Sequence, residues 1–126
     1  MNIPENLIYS KNHEWIKVNN TDNCIGITDY AQRELGDIVF MELPDVGKKV
    51  SKGDVVGTIE AVKTVADIYS PISGEVIEVN SLLEDKPELL NSDPYGKGWI
   101  FLIKSDKSTD ESIGLNSSEY KDFIGD

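Results

Sequence analysis

The sequence predicts a mostly β protein, a barrel or a sandwich of short strands with small helices at its edge. Three observations carry that prediction. Short runs rich in β-branched and aromatic residues recur along the chain. Turn-forming clusters punctuate them, among them Asn19 to Asn23, Ser51 to Asp54 and Pro71 to Gly74. Glu75 to Asn80 alternates polar with apolar, the period-two pattern of a strand with one buried face. At 126 residues, one domain with one real core is expected.

The elements follow in order. Trp15-Ile16-Lys17-Val18 alternates and reads as a strand, and Cys24 to Ile27 returns after the Asn-rich turn. Thr28 is placed to cap a helix over Asp29 to Leu35, with Gly36 as its stop. That helix exposes Arg33 and Glu34 and buries Tyr30, Ala31 and Leu35. Asp37 to Leu43 reads as a strand ended by Pro44. Val46 to Val50 and Val55 to Glu60 are two more, divided by Ser51 to Asp54. Val65 to Tyr69 is stopped by Ser70-Pro71. Glu75 to Asn80 follows, then a helical turn over Pro87 to Asn91 with proline at its start. Trp99 to Lys104 reads as a buried strand. Ser105 to Asn116 is a polar linker to a last helix, near Ser117 to Ile124. Tyr120, Phe123 and Ile124 recur there at helical spacing and are expected to anchor it on the core.

Charge narrows the partners. With 12 basic and 23 acidic residues the net charge is −11, which opposes binding to nucleic acid and to anionic membrane surfaces. It favours steered, salt-sensitive encounters with basic protein surfaces. No apolar stretch reaches the length of a membrane span. Met1 to Trp15 carries neither a signal-peptide pattern nor Arg-rich transit character, so a cytoplasmic protein is expected. A mature organelle form stays open as the alternative.

Catalytic constellations are lacking. Cys24 is the one cysteine, lies in a strand-like run, and is expected to be a small buried residue. His13 is the one histidine, and no cluster of His and Cys offers a metal site. No Gly-rich phosphate loop is present.

The most informative residue is Lys63. Two strand-like runs, Val55 to Glu60 and Val65 to Tyr69, flank Ala61-Val62-Lys63-Thr64, which predicts a hairpin with Lys63 near its tip. The connection lacks the Asn-Gly or Asp-Gly of a tight two-residue turn, so a wider loop is expected. An ordinary lysine in a turn is a solvated surface charge. A lysine on a rigid, exposed tip also suits a modifying enzyme and can carry a cofactor on a flexible stem.

The run Glu60 to Asp67 (EAVKTVAD), followed by Tyr69-Ser70-Pro71-Ile72-Ser73-Gly74-Glu75-Val76, resembles the lipoyl-lysine segment of the glycine cleavage system H proteins. Further blocks resemble that family in the same order: Tyr9 with His13-Glu14-Trp15, Gly26 to Gln32, Leu35 to Phe40, Glu42-Leu43-Pro44, Val46-Gly47, Asn91, Asp93-Pro94-Tyr95, Gly98-Trp99 and Tyr120. The resemblance implies a flattened barrel-sandwich hybrid like the lipoyl domains, with short peripheral helices and a C-terminal helix. It implies one lipoyl-carrier domain over residues 1–126, its core about 15–104 and its linker and last helix about 105–126.

It implies, further, lipoate joined as an amide to Lys63, with Glu60, Val62, Thr64 and Asp67 as the context read by a lipoyl ligase or an octanoyl/lipoyl transferase. A pyridoxal-phosphate glycine decarboxylase would load the aminomethyl group of glycine and reduce the dithiolane. A tetrahydrofolate-dependent aminomethyltransferase would take the one-carbon unit and release ammonia, and dihydrolipoyl dehydrogenase would reoxidise the dithiol. The chain would be a carrier in these steps and not an enzyme. The loaded arm would fold into a cleft near Glu14 and Asp67, with Asn12 where the family often has serine; a carboxylate there would favour the ammonium of the cargo.

Rival readings weigh less. In the lipoyl domains of 2-oxo acid dehydrogenases an Asp commonly precedes the lysine, whereas Val62 does so here. Biotin carriers flank theirs with methionines, and Met1 and Met41 are both distant in sequence. A Schiff-base lysine needs burial or a neighbouring cation, and acids border this one. A lipoyl relay to other acceptors is not separable from glycine cleavage by sequence.

Overall fold

The computed structural model describes residues 1–106, 108–109 and 111–126. In chain order they form β1 (Ile8–Tyr9), β2 (Glu14–Asn19), β3 (Asp22–Ile27), α1 (Asp29–Leu35), β4 (Ile38–Glu42), β5 (Lys49–Val50), β6 (Val55–Ala61), β7 (Val65–Tyr69), β8 (Gly74–Val79), α2 (Leu82–Asp85), α3 (Leu89–Ser92), β9 (Phe101–Lys104), a 3-10 turn (Glu111–Ile113) and α4 (Ser117–Ile124). Two antiparallel sheets result, ordered β1-β2-β3-β9-β8-β5 and β4-β6-β7. They remain separate ladders and do not close into a barrel, so the sandwich side of the expectation holds.

Strand alternation builds the core. Ile16, Ile25, Ile27, Val76 and Ile103 of the larger sheet pack in one cluster with Met41, Ile59 and Ile68 of the smaller. A second cluster gathers Ile3, Leu7, Tyr9, Trp15 and Tyr120, beneath the C-terminal helix. Trp15 pairs with Gly26 across β2 and β3, and a Cβ on Gly26 would lie 2.5 Å from the indole. Glycine is therefore required there to let the ring lie flat. The indole Nε1 donates to Pro94 O at 3.0 Å, which ties the loop before β9 to the same cluster.

Helix α1 starts and stops as its residues dictate. Thr28 Oγ1 accepts from Ala31 N, and Gly36 ends the helix at φ +75°. Tyr30, Ala31 and Leu35 are only half-buried, whereas Asp29 is 8% exposed. Its carboxylate accepts from Asn2 N, Gln32 Nε2 and the Arg33 guanidinium. These partners outweigh burial and hold the Asp29 pKa below its ordinary value.

Several expectations are corrected. The strand predicted over Val46 to Val50 shrinks to Lys49–Val50, because Asp45 to Lys48 turns, with Gly47 at φ +92° and Lys48 N bonded to Asp45 O. The alternation in β8 breaks at a bulge: Val76 pairs with Ile103 and Glu78 with Leu102, leaving Ile77 as the extra residue. Strand β1 and helix α2 lack a sequence counterpart above. β1 is two residues long, and Leu115 bridges Tyr9 along its outer edge, covering it. Phe123 is not core, being 46% exposed, while Tyr120 is fully buried and stacks on Tyr9 at 4.7 Å. Of the expected linker, positions 107 and 110 lie outside the described residues.

Candidate functional site

The hairpin joining β6 to β7 projects Lys63. Glu60 pairs with Val65 at the end of the ladder, and Ala61 N donates to Thr64 O at 2.8 Å. None of Ala61 to Thr64 takes a positive φ, since only His13 and Asn20 do so among the described non-glycine residues. A tight primed turn is thus avoided, and the tip is steadied from outside: Val62 N donates to Asp37 O at 3.0 Å. Val62, Lys63 and Thr64 are all exposed. The stem of Lys63 passes the cap of α1, where a Cβ on Gly36 would meet its Cε at 3.4 Å. Asn91 braces that corner, donating to Gly36 O and to Gln32 Oε1 while its Oδ1 accepts from Ile38 N. The lysine therefore stands on a fixed platform with a free end.

A second feature lies at the Ser10–Glu14 loop. Ser10 N donates to Glu14 O and His13 N to Ser10 O, which forces His13 to φ +68°. The loop is pinned through His13, whose Nδ1 shares a 2.8 Å hydrogen bond with Tyr120 Oη. Tyr120 Oη also meets Thr28 Oγ1 at 2.8 Å. The Tyr30 ring packs on the imidazole at 4.7 Å, and burial lowers the His13 pKa, partly offset by Glu34.

This loop drives Glu14 inward, to 1% exposure. One carboxyl oxygen accepts from Ser10 Oγ at 2.5 Å, and the other, Oε2, is buried without a hydrogen-bond partner. Burial raises the Glu14 pKa to about 7, against the opposing pull of the Ser10 hydroxyl and the Tyr69 backbone. An unpaired buried acceptor is costly, by about 1–3 kcal/mol, so a donor or a cation arriving here is favoured. Beside it lies a cavity of about 290 Å³, lined by Glu14 with Ser10, Asn12, Lys52, Pro71 and Leu115, among others.

The structure thus brings Asn12 and Glu14 to one cavity and leaves Asp67 outside its lining. Asp67 is exposed on β7, opposite Thr58. Glu60, Val62, Thr64 and Asp67 all stand on or beside the lysine hairpin. Ser10 is a functional support that sequence reasoning passed over, and Asn91, singled out by the resemblance, was given no role there. Ser10 had a signal, four residues before Glu14 across a turn; the bracing role of Asn91 had no local signal, since its partners are 53 to 59 residues away. Cys24 is half-buried and its thiol is pushed up to about 11 by burial, which suits a structural residue rather than a nucleophile. Among the described residues no acidic, His and Cys cluster could hold a metal ion, and no helix is long and apolar enough to cross a membrane.

Comparison with known proteins gives a consistent result. The family model described as glycine cleavage H-protein matches residues 7–126. The chain is 50% identical over 124 residues to the glycine cleavage system H protein of Listeria monocytogenes serotype 4a, covering 98% of this chain and 99% of that one. It is 50% identical over 125 residues to that of Herpetosiphon aurantiacus, covering 99% and 95%. The crystal structure of a glycine cleavage system H protein from Mycobacterium marinum superposes with a TM-score of 0.89 at 37% identity, covering 98% of this chain and 99% of that chain.

Proposed function

The chain belongs to the glycine cleavage H-protein family, and from that premise we propose that it carries lipoate on the Lys63 amine and shuttles the aminomethyl group of glycine. The membership makes it a lipoyl carrier that works with the enzymes of that system. The finer reading is that glycine decarboxylase loads it, the aminomethyltransferase unloads it, dihydrolipoyl dehydrogenase reoxidises it, and a lipoyl ligase or transferase modifies it. As a carrier it has no catalytic residue of its own. Residues 1–126 act as one lipoyl-carrier domain, in the cytoplasm, without nucleic-acid or membrane partners.

The observation that carries the reading is the pairing of two unlike sites. One is an exposed lysine on a braced tip; the other is a buried carboxyl with one unsatisfied oxygen, on a residue that lines a cavity. The donor set fits the group. Lys63 supplies an exposed amine for the amide, read in the context of Glu60, Val62, Thr64 and Asp67. When bound, the dithiolane supplies the thiol–disulfide exchange and group carriage that protein side chains here lack. Glu14, with Ser10 and Asn12 beside it, would hold the ammonium of the cargo by a charge-assisted bond and keep water from it. Asp67 would act from the hairpin rather than from the cavity wall.

Intact mass with peptide fragmentation, on protein from lipoate-replete cells, tests this. A single lipoyl increment on Lys63 is expected. A chain that stays unmodified, and refractory to a lipoylating enzyme in vitro, would overturn the reading.

A further inference from the structure

Residue 13 takes a φ of +68°, a conformation that glycine holds at no steric cost. A histidine stands there instead, so contacts of its side chain must offset the strain. The Tyr30 ring lies 4.7 Å from the imidazole, and the Tyr120 and Phe123 rings each lie at 5.9 Å. Nδ1 is hydrogen-bonded to Tyr120 Oη at 2.8 Å. Tyr120 is the one buried residue of α4, and its hydroxyl also meets Thr28 Oγ1, the cap of α1. Its place is fixed from outside the loop. Leu115 and Tyr9 exchange two backbone hydrogen bonds of 2.8 Å just before the helix, and the Tyr120 ring stacks on Tyr9. One hydroxyl therefore joins the C-terminal helix, the start of α1 and the Ser10–Glu14 loop.

The backbone carries the effect to Glu14. His13 N donates to Ser10 O and Thr28 N donates to His13 O, both at 3.1 Å, so the chain on either side of His13 is held. Ser10 then grips Glu14 twice: its Oγ accepts from Glu14 N and donates to Glu14 Oε1. A His13 that left the positive-φ region would swing the next peptide and take the carboxyl away from Ser10. The ionisable groups around the pair are Tyr9, Lys11 and Lys52, which line the cavity with Glu14, and Glu34 and Tyr120 beside His13. Both lysines are exposed. Burial raises the pKa of the Tyr120 hydroxyl, so removing that hydroxyl takes away no charge.

We propose that His13 and Tyr120 are positioning residues for the cargo: their hydrogen bond holds the strained turn that keeps the Glu14 carboxyl inside the fold, where it meets the ammonium of the aminomethyl group. The inference rests on the carrier reading above and adds the C-terminal helix to the parts that reading needs. It also accounts for a histidine where glycine would make the same turn without strain.

Two variants break the bond from opposite ends. Tyr120→Phe keeps the stack on Tyr9, and His13→Phe keeps a ring against Tyr30. Tyr95→Phe is the control: it removes another tyrosine hydroxyl beside the second core cluster, bonded to Asn2 O and Asp29 N, without touching the loop. In the unmodified, 13C-labelled protein the Glu14 carboxyl is titrated by NMR, assigned with Glu14→Gln, and melting temperature checks folding. In both variants the midpoint should fall from about 7 toward 4.5, by about one pH unit or more, and in Tyr95→Phe it should stay with the parent. On the loaded carrier the two variants should speed ammonia release, without the aminomethyltransferase, by about tenfold, with Tyr95→Phe again matching the parent. A folded Tyr120→Phe whose Glu14 titrates with the parent would overturn the proposal. So would an equal fall in Tyr95→Phe, which would mean a general loosening. A fall in midpoint with ammonia release unchanged would overturn the cargo role and leave the clamp as architecture alone. A parent that never accepts lipoate would remove the carrier reading, and the titration would still decide whether the clamp holds Glu14.

Discussion

Replacing Glu14 with glutamine isolates the cost of holding an acid in the cavity wall. In the unfolded chain the carboxyl titrates near 4.5, and in the fold burial raises it to about 7. Between those values the folded protein keeps a proton that the unfolded chain has released. Stability must therefore fall as pH rises through this window, with no penalty below 4.5 and the full penalty above about 7. The gap, at about 1.36 kcal/mol per pH unit, is about 3 kcal/mol, and Glu14 is buried enough that solvent screening does not discount it. The glutamine of Glu14→Gln keeps an acceptor for Ser10 Oγ and does not titrate. Its amide nitrogen brings an offset of its own, but one that is constant with pH. The quantity to read is thus the change in the stability difference between pH 4 and pH 8. Urea unfolding followed by tryptophan fluorescence should show E14Q gaining about 3 kcal/mol on the parent across that range. His13 cancels in the comparison. Burial lowers its pKa, so in both proteins it costs stability as pH falls below the 6.5 of a free imidazole. Parallel stability curves, or a parent that gains on the variant as pH rises, would refute the account of Glu14.

Three further outcomes are expected. Tyr120→Phe keeps the stack on Tyr9 but loses the hydroxyl shared by His13 and Thr28, and should cost about 1–3 kcal/mol in denaturant unfolding; an unchanged midpoint would count against the clamp. Gly26→Ala drives a methyl into the Trp15 ring and should cost about 3 kcal/mol or more, with a red shift of the tryptophan emission; a parent-like melt would mean the strand pair can yield. Glu14→Ala should leave acylation of Lys63 intact yet hasten loss of ammonia from the loaded carrier, read by ammonia release in the absence of the aminomethyltransferase, and equal rates would remove Glu14 from cargo protection.

How far the sequence could be read depended on whether a feature was local. Helix α1 was legible to the residue, because Thr28, Gly36 and the intervening pattern sit within one short window. The Lys63 hairpin was legible because two β-branched runs frame it, and the C-terminal helix because Tyr120, Phe123 and Ile124 recur at helical spacing; the structure adds the capping box of Asn116 and Glu119 around its first turn. What failed was what depends on distant partners. The short β1 exists through pairing with β2 and a bridge to Leu115, more than a hundred residues on. Phe123 shares helical spacing with Tyr120, but the face it occupies meets Lys11 and the His13 ring at the rim. Glu14 read equally well as a surface acid. Nothing in its neighbours announces that a left-handed His13 turns it inward.

That turn joins three tasks in consecutive residues. His13 faces α4 through Tyr120, Glu14 faces the cavity, and Trp15 fills the second core cluster against Gly26 and Pro94. A positive φ at a residue with a side chain costs about 1 kcal/mol or more and persists only where its surroundings enforce it. Here the Tyr120 hydroxyl, the Tyr30 ring and three backbone hydrogen bonds around Ser10 to Thr28 enforce it together. The same strain delivers the Glu14 carboxyl to a place where water would otherwise be its best partner. The C-terminal helix is therefore part of what fixes the acid in the cavity, although none of its own residues lines that space. Loosening it should release Glu14 toward solvent and toward an ordinary pKa, while Lys63, braced from the other side by Gly36, Asp37 and Asn91, would keep its position.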